Sequence, residues 1–423
     1  MKFYIYTLGC KVNTYESGVI KNKLVDNGYI EGSKEDSDIY IVNTCTVTNT
    51  SDNKSLKTVR HIVNNYKDKI VVVMGCMSQV NSDLLNDLDV SIVLGNSGKS
   101  KIVEYIEQYK RDKKKIVDIK DITNVKFEDM CLNNFNRVRA FVKIEDGCEN
   151  YCTYCIIPYA RGPVRSKNKE TVLEEIKTII KNGHKEIVLT GIHTGHYGSD
   201  LDGYTFSDLI KEIENVEGLK RLRISSIEIT ELDDEFLKTL KDSKVLVDHM
   251  HIPLQSGCNK ILKLMNRKYD KEYFINTITK IRQIRPDISI TTDLIVGFPN
   301  ETEADFEETI NTINTIKFSK IHVFPFSLRK GTAAEDIPNH ISDVVKKQRV
   351  KKVLDLSKQL EIEYFNKFIN KEVEFIPEVY KNGCVIGHTG NYLQVKCKGD
   401  ISDLNEIKKC IIKKIEYPYC IAE

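Results

Sequence analysis

From residue 2 to about 330, short apolar β-rich runs alternate with amphipathic segments, a pattern that buries both kinds of element only in layered or barrel-like α/β architectures. The first four runs, Phe3–Thr7, Ile39–Asn43, Ile70–Met74 and Ser91–Leu94, are separated by helical stretches near 14–26, 51–66 and 99–109. They predict a small doubly wound α/β domain over residues 1–110. The segment Lys110 to Asn136, charge-rich and carrying Lys113-Lys114-Lys115, reads as a linker. A second series, Ala140–Ile144, Glu186–Thr190, Arg221–Ser225, His249–Leu254, Ser289–Val296 and Lys320–Phe326, makes six βα units. These predict a barrel or partial (β/α)6 barrel within residues 134–365, with chemistry at the carboxyl ends of its strands. A basic helical run, Val344 to Phe368, leads into residues 367–423. There, strand-like pieces Val373–Val379, Tyr392–Lys396 and Cys410–Glu416, punctuated by Gly383, Gly387, Gly390 and Gly399, predict a small β-barrel.

A chain of 423 residues exceeds the usual single-domain size, which agrees with two or three separate cores. The longest apolar stretches, such as Ile70 to Met74 and Ile321 to Phe326, are far short of the ~20 residues a membrane helix needs. The N-terminus runs from Met1-Lys2-Phe3-Tyr4-Ile5-Tyr6 straight into a polar Gly9-Cys10-Lys11 turn without a signal h-region, so a cytoplasmic location is expected. With 63 basic and 61 acidic residues the net charge is +2, and bulk electrostatics argue neither for nor against nucleic acid. Twelve cysteines are another matter, because a reducing compartment disfavours disulfides. Metal or redox chemistry is the better reading.

Cys148, Cys152 and Cys155 form a C-x3-C-x2-C run immediately after the first strand of the second series. Three thiolates this close can ligate three corners of a cubane iron–sulfur cluster and leave the fourth iron open for chemistry. A structural zinc site would want four ligands, usually two C-x2-C pairs, and no second pair exists in the chain. Cys10, Cys45 and Cys76 are remote in sequence, yet each directly follows one of the first three strands. In a parallel sheet those strand ends emerge on one edge, which brings three thiols together. Gly9 and Gly75, each preceding a cysteine, are expected to let the backbone approach a bulky inorganic ligand. A second cluster with an open iron is therefore predicted. Cys131, Cys258, Cys384, Cys397, Cys410 and Cys420 lack such partners and read as small buried hydrophobes or surface thiols.

The C-x3-C-x2-C spacing on a barrel-like alternation resembles the radical S-adenosylmethionine superfamily. That resemblance implies S-adenosylmethionine chelating the open iron, and its reductive cleavage to a 5′-deoxyadenosyl radical. It also implies tentative cofactor contacts. Tyr154 matches the family's aromatic before the third cysteine, Gln255 and Ser256 could face the ribose, and Gly297 lies in Leu294-Ile295-Val296-Gly297-Phe298-Pro299, which resembles the adenine-contacting strand. The family's Gly-Gly-Glu after the second strand is replaced by Thr190-Gly191-Ile192-His193, which leaves open what holds the methionine end.

The two cysteine triads together resemble the methylthiotransferases over essentially the whole chain. The resemblance implies two [4Fe-4S] clusters, an auxiliary one on Cys10, Cys45 and Cys76 and a radical one on Cys148, Cys152 and Cys155. It also implies a C-terminal TRAM-like RNA-binding barrel, an electron donor such as flavodoxin or ferredoxin, and a tRNA anticodon loop as partner. One S-adenosylmethionine would methylate a sulfur at the auxiliary cluster, and a second would provide the radical. The motifs Thr7-Leu8-Gly9-Cys10-Lys11-Val12-Asn13, Asn43-Thr44-Cys45-Thr46-Val47-Thr48 and Thr190-Gly191-Ile192-His193-Thr194-Gly195 look like the branch acting on N6-threonylcarbamoyladenosine at position 37. Isopentenyladenosine in tRNA and a ribosomal-protein aspartate are the alternative substrates, and a metal-bound RNA-binding adaptor is the non-enzyme alternative. For RNA, the lysine clusters Lys396-Cys397-Lys398, Lys408-Lys409 and Lys413-Lys414 interleave with Tyr392, Tyr417 and Tyr419, and Lys346, Lys347, Arg349, Lys351 and Lys352 add a neighbouring basic helix.

Overall fold

The computed structural model describes residues 1–132 and 138–423. The expected boundary between linker and second domain falls on residues 133–137 and lies outside the described residues. No helix among the described residues is long and apolar enough to cross a membrane.

The chain opens with β1 (Lys2–Thr7), α1 (Lys11–Asp26), β2 (Ile30–Glu31), β3 (Ile39–Thr44), α2 (Asn49–Asn65), β4 (Ile70–Gly75), α3 (Cys76–Val80), β5 (Ile92–Leu94), α4 (Ile102–Asp112) and β6 (Ile116–Asp118). The six strands form one sheet in the order β2-β1-β3-β4-β5-β6, with every pair parallel. β3 and β4 are buried along their whole length, as the continuous apolar runs Ile39–Val42 and Ile70–Met74 require of strands covered on both faces. α1 and α4 pack Ile20, Leu24, Ile102 and Ile106 against one face, and α2 packs Leu56, Val59 and Ile62 against the other. The doubly wound expectation holds. The expected linker does not: it supplies β6 as an edge strand, and its Met130 and Leu132 are buried in the core of the following body. Three residues are too few to show a strand period, and their polar flanks concealed them.

The second body contains β7 (Arg139–Lys143), β8 (Glu145–Asp146), α5 (Ile157–Arg161), β9 (Arg165–Ser166), α6 (Lys169–Lys181), β10 (Glu186–Thr190), α7 (Phe206–Glu214), β11 (Arg221–Ile224), α8 (Asp234–Asp242), β12 (His249–His251), α9 (Asn259–Leu264), α10 (Lys271–Ile284), β13 (Ser289–Val296), α11 (Glu303–Ile316) and β14 (Lys320–Pro325). Two parallel sheets, β7-β10-β11 and β12-β13-β14, are stitched by the bridge Leu222–Leu246 and by bonds from Leu222 N to Val245 O (2.7 Å) and from Val247 N to Leu222 O (3.0 Å). The result is an open six-stranded half-barrel. β12 ends three residues earlier than expected. Pro253 has no N–H to give, the Leu254 N–H goes to the Thr292 hydroxyl (2.8 Å), and the Tyr269 hydroxyl donates to the carbonyls of both residues.

α12 (Asp343–Asn366) then leads to a closed barrel of β15 (Glu372–Lys381), β16 (Cys384–Thr389), β17 (Gln394–Lys398), β18 (Lys408–Glu416) and β19 (Tyr419–Ala422). Two strands absent from the sequence expectation, β16 and β19, complete it. Gly387 belongs inside β16, where an added Cβ would stand 1.9 Å from Ile376 O. Cys397, Cys410 and Cys420 are core residues of this barrel and Cys258 is buried beside α9, as expected of small hydrophobes, while Cys131 is exposed. The basic helix is less basic outside than its sequence implies. Arg349 is buried against Glu301 (2.6 Å) and Glu303 (3.0 Å), and Lys346 packs its stem over Gly297 and sets its ammonium over the Phe326 ring.

Candidate active site

Cys10, Cys45 and Cys76 follow β1, β3 and β4, three adjacent parallel strands, so their loops share one edge of the sheet. A Cβ on Gly9 would lie 2.8 Å from Cys45 Cβ and 3.0 Å from its Sγ, so the first two cysteine loops touch. Asn13 ties them together, its Nδ2 donating to Leu8 O (2.7 Å) and to Thr44 O (2.9 Å). Gly9 and Gly75 have φ of +101° and +108°, and a Cβ on Gly75 would stand 2.7 Å from Thr44 O. Left-handed backbone and close packing against the neighbouring strand end therefore account for both glycines, in place of the expected approach to a ligand.

At this edge the first and second bodies are joined by a buried ionic network that the sequence did not disclose. The Arg161 side chain, fully buried at the end of α5, donates Nε to Cys76 Sγ (3.3 Å) and Nη2 to Asn13 Oδ1 (2.9 Å). Its Nη1 donates to Glu16 (2.7 Å) and Asp146 (3.1 Å). Lys143 bridges the same two acids at 3.0 and 2.6 Å, and Lys99 closes on Glu16 at 2.5 Å. Burial would raise the Glu16 carboxyl, but Arg161, Lys99 and Lys143 hold it well below the usual range. Asp146, against the same burial, is held down to about 2 by Arg161 and Lys143. The visible hints were Asp146, two residues before Cys148, and Arg161 in the Pro158–Pro163 segment that follows the triad.

Cys148, Cys152 and Cys155 lie on the loop between β8 and α5, all three with free thiols. The loop is pinned by Cys148 N to Gly162 O (3.0 Å) and Cys155 N to Cys152 O (2.9 Å). Gly147, with φ +103°, would drive a Cβ to 1.9 Å from Pro163 O, so the turn admits only glycine. Burial pushes the Cys155 thiol up to about 12 and raises Cys148 further. Arg267 Nη1 lies 3.2 Å from Cys152 Sγ, as Arg161 lies against Cys76. A guanidinium beside a sulfur favours its thiolate form, and each triad offers three sulfur donors.

Around this loop the expected cofactor contacts sort unevenly. Tyr154 packs edge-on to Phe298 with ring centroids 6.4 Å apart, and Gln255, at φ +62°, bridges to Leu294 with no side-chain hydrogen bond among the described residues. Ser256 is fully buried, with Oγ 3.4 Å from the Thr309 hydroxyl and accepting from Cys258 N (3.2 Å). Gly297, at φ +72°, gives its N–H to Glu301 (2.6 Å) and is covered by Lys346. In the Thr190-Gly191-Ile192-His193 segment, the N–H groups of Ile192 and His193 donate to Glu145 Oε2 at 2.9 and 2.7 Å. His193 presents Nδ1 to Cys148 Sγ at 3.8 Å and Nε2 to Glu231. Burial lowers His193 to about 4 and raises Glu231 to about 7. At neutral pH the imidazole is therefore uncharged, with the Glu231 carboxyl as its proton partner.

Inside the half-barrel, a cavity of about 500 Å³ is walled by all three bodies: Lys11 from the first, His249, His251 and Asp293 from the second, and Tyr392 and Gln394 from the C-terminal barrel. Its size fits one small organic group or one nucleobase. Tyr392 thus faces inward, its ring 4.1 Å from the Arg223 guanidinium and 4.4 Å from His249, instead of joining a surface for base stacking. Several lysines of the C-terminal barrel are likewise engaged, Lys408 with Asp403, Lys409 with Glu372 and Lys414 with Glu416.

Residues 142–313 match the Radical SAM superfamily model, and residues 2–95 match the Uncharacterized protein family UPF0004. Among solved structures, the radical S-adenosylmethionine methyltransferase TsrM from Kitasatospora setae superposes with TM-score 0.58 at 12% identity, covering 79% of this chain and 76% of that one, a likeness of fold. A parallel half-barrel with a three-cysteine loop after its first strand, matched by that superfamily model, makes this a radical S-adenosylmethionine enzyme, with S-adenosylmethionine and an iron–sulfur cluster as cofactors. The curated relatives narrow the class. Threonylcarbamoyladenosine tRNA methylthiotransferase MtaB of Bacillus subtilis (strain 168) is 41% identical across 98% of this chain and 94% of that protein, and its namesake of Aquifex aeolicus (strain VF5) 38% across 94% and 97%. The tRNA-2-methylthio-N(6)-dimethylallyladenosine synthase of Acetivibrio thermocellus is 34% identical across 89% and 80%. The chain belongs to the methylthiotransferase family of radical S-adenosylmethionine enzymes.

Proposed function

We propose that this enzyme converts N6-threonylcarbamoyladenosine at position 37 of tRNA to its 2-methylthio derivative, using two [4Fe-4S] clusters. Arg161 carries the reading: one side chain donates to a sulfur of the first triad and to Asp146, which immediately precedes the loop of the second. Cys10, Cys45 and Cys76 would hold the auxiliary cluster, and Cys148, Cys152 and Cys155 the radical one. When bound, the second cluster supplies the electron that cleaves S-adenosylmethionine. The protein's own part is positional: Arg161 and Arg267 balance thiolate charge, the His193–Glu231 pair holds the imidazole against Cys148, and the cavity excludes water from the base. Reaching C2 of an adenine requires the base to leave its stack, which costs least in a single-stranded loop. Tyr154 and Gln255 are the remaining contacts proposed for S-adenosylmethionine. An electron donor such as flavodoxin or ferredoxin and a cytoplasmic location follow from the same reading.

The test is anaerobic reconstitution followed by iron and sulfide analysis and mass spectrometry of nucleosides from treated tRNA. About eight irons per chain are expected for two cubanes, with 2-methylthio-N6-threonylcarbamoyladenosine as product. Zinc without sulfide would overturn the enzyme reading. Methylthiolation of isopentenyladenosine instead would move that substrate to first place.

A further inference from the structure

Lys11 is the first residue of α1 and follows Cys10, yet its side chain leaves the sheet and lines the cavity of the half-barrel. Among the described residues its one side-chain hydrogen bond is a 3.5 Å contact from Nζ to Ser225 O, and no carboxylate lies within ion-pair distance of it. Acids on the cavity wall are already engaged: Asp293 with His251 at 3.3 Å, and Glu361 with Lys320 at 3.0 Å. Behind the wall, more donors lack acceptors. Both terminal nitrogens of Arg223 are buried without a hydrogen-bond partner among the described residues. Arg223 is 1% exposed, and the single carboxylate beside it, Glu186, also serves Arg221. This end of the cavity therefore sets the Lys11 ammonium, which has no carboxylate in ion-pair contact, in front of the buried Arg223 guanidinium, whose terminal N–H groups are unused and whose Glu186 partner is shared with Arg221. A desolvated cation without a partner is costly, and a ligand that brings the missing charge recovers that cost.

We propose that Lys11 is a specificity-determining residue that binds a carboxylate on the substituent of the substrate base, with the free N–H groups of Arg223 supporting the charge from behind. The proposal rests on the tRNA reading above and deepens it. A threonylcarbamoyl group carries a free carboxylate, whereas an isopentenyl group carries none and would leave Lys11 uncompensated. Rejecting the uncharged substituent then needs no steric block, because the unpaired cation itself is the repulsive element. Lys11 is also covalently next to Cys10, so the residue that reads the substituent and the proposed sulfur site move as one piece of backbone.

The same ammonium could instead meet a phosphate of the RNA backbone, and the test separates the two. Full-length reconstituted enzyme is assayed on two tRNAs that differ only at position 37, one with the threonyl carboxylate and one with the neutral carboxamide. Lys11→Met should raise KM for the carboxylate tRNA ~10- to 100-fold, the range of one charge-assisted hydrogen bond, with the carboxamide tRNA shifted less than ~3-fold. Lys11→Arg, which keeps the charge should Met prove poorly tolerated, should preserve the preference for the carboxylate. Equal losses on both tRNAs, as a phosphate contact would give, overturn the role of Lys11 alone. A raised KM for S-adenosylmethionine also overturns it, since the cation would then serve the cofactor. Parent enzyme that methylthiolates neither tRNA overturns the tRNA reading and this proposal with it.

Discussion

Nε of Arg161 lies 3.3 Å from Sγ of Cys76, although the two residues belong to different bodies of the fold. The same guanidinium donates to Glu16 and Asp146, so removing it takes one of three cations and its charge-assisted hydrogen bonds from the buried network and leaves the two carboxylates to Lys99 and Lys143. Arg161→Met should therefore destabilise the chain by about 3–5 kcal/mol, as breakage of a buried ion pair does. Arg161→Lys should recover part of this, because one ammonium cannot replace three differently aimed N–H groups. Urea denaturation of both variants checks the order, and a loss under about 1 kcal/mol for Met would show that the network is slack.

Division of labour between the triads is open to a direct count. Replacing Cys10, Cys45 and Cys76 by Ala should lower iron from about eight to about four per chain. Methylthio transfer should disappear while some 5′-deoxyadenosine is still formed. Loss of both products from a folded protein would mean that the two sites operate as one unit.

Glu231 gives the stability a pH dependence of known sign. Burial raises its carboxyl to about 7, whereas an unfolded chain titrates it near ~4.3. The folded state thus binds the proton more tightly. This contribution is fully present below pH ~4 and is lost as the pH rises through 7. Glu231→Gln cannot ionise, so its stability relative to the parent should improve steadily from pH ~4.5 to ~7.5, measured as the difference in denaturation midpoints. A constant difference across that window would contradict the assigned shift.

Tyr392 docks the C-terminal barrel on the half-barrel. Its hydroxyl accepts from Arg139 Nη1 at 2.7 Å, and its ring carries the Arg223 guanidinium at 4.1 Å. Tyr392→Phe should cost about 1 kcal/mol, the price of one hydrogen bond, and Tyr392→Ala about 2–3 kcal/mol in all, because ring packing and the cation–π contact go too. Similar losses from the two variants would mean that the hydroxyl alone matters.

Local chemistry made much of this protein legible before any coordinates. Hydrophobic runs located the six strands of the half-barrel, β12 within a longer apolar stretch, and the main helices, because a strand or helix buried on a sheet must present apolar residues to it. The placement of Cys10, Cys45 and Cys76 at three strand ends led to their convergence, because parallel strands that pair in order share an edge. Elements too short for a period, β6 among them, could not be seen in this way. Nor could the fates of Ser256, Arg349 and Tyr392, whose polar groups turn inward onto Thr309, Glu301 and Arg139. Arg161 on Cys76 and Lys11 in the cavity of another body join residues 85 and 214 positions apart from their partners. Sequence decided which residues were available at each strand end, whereas only the packing of the three bodies decided which charges met and which were left unpaired, since ion pairing depends on distance in space and carries no period along the chain.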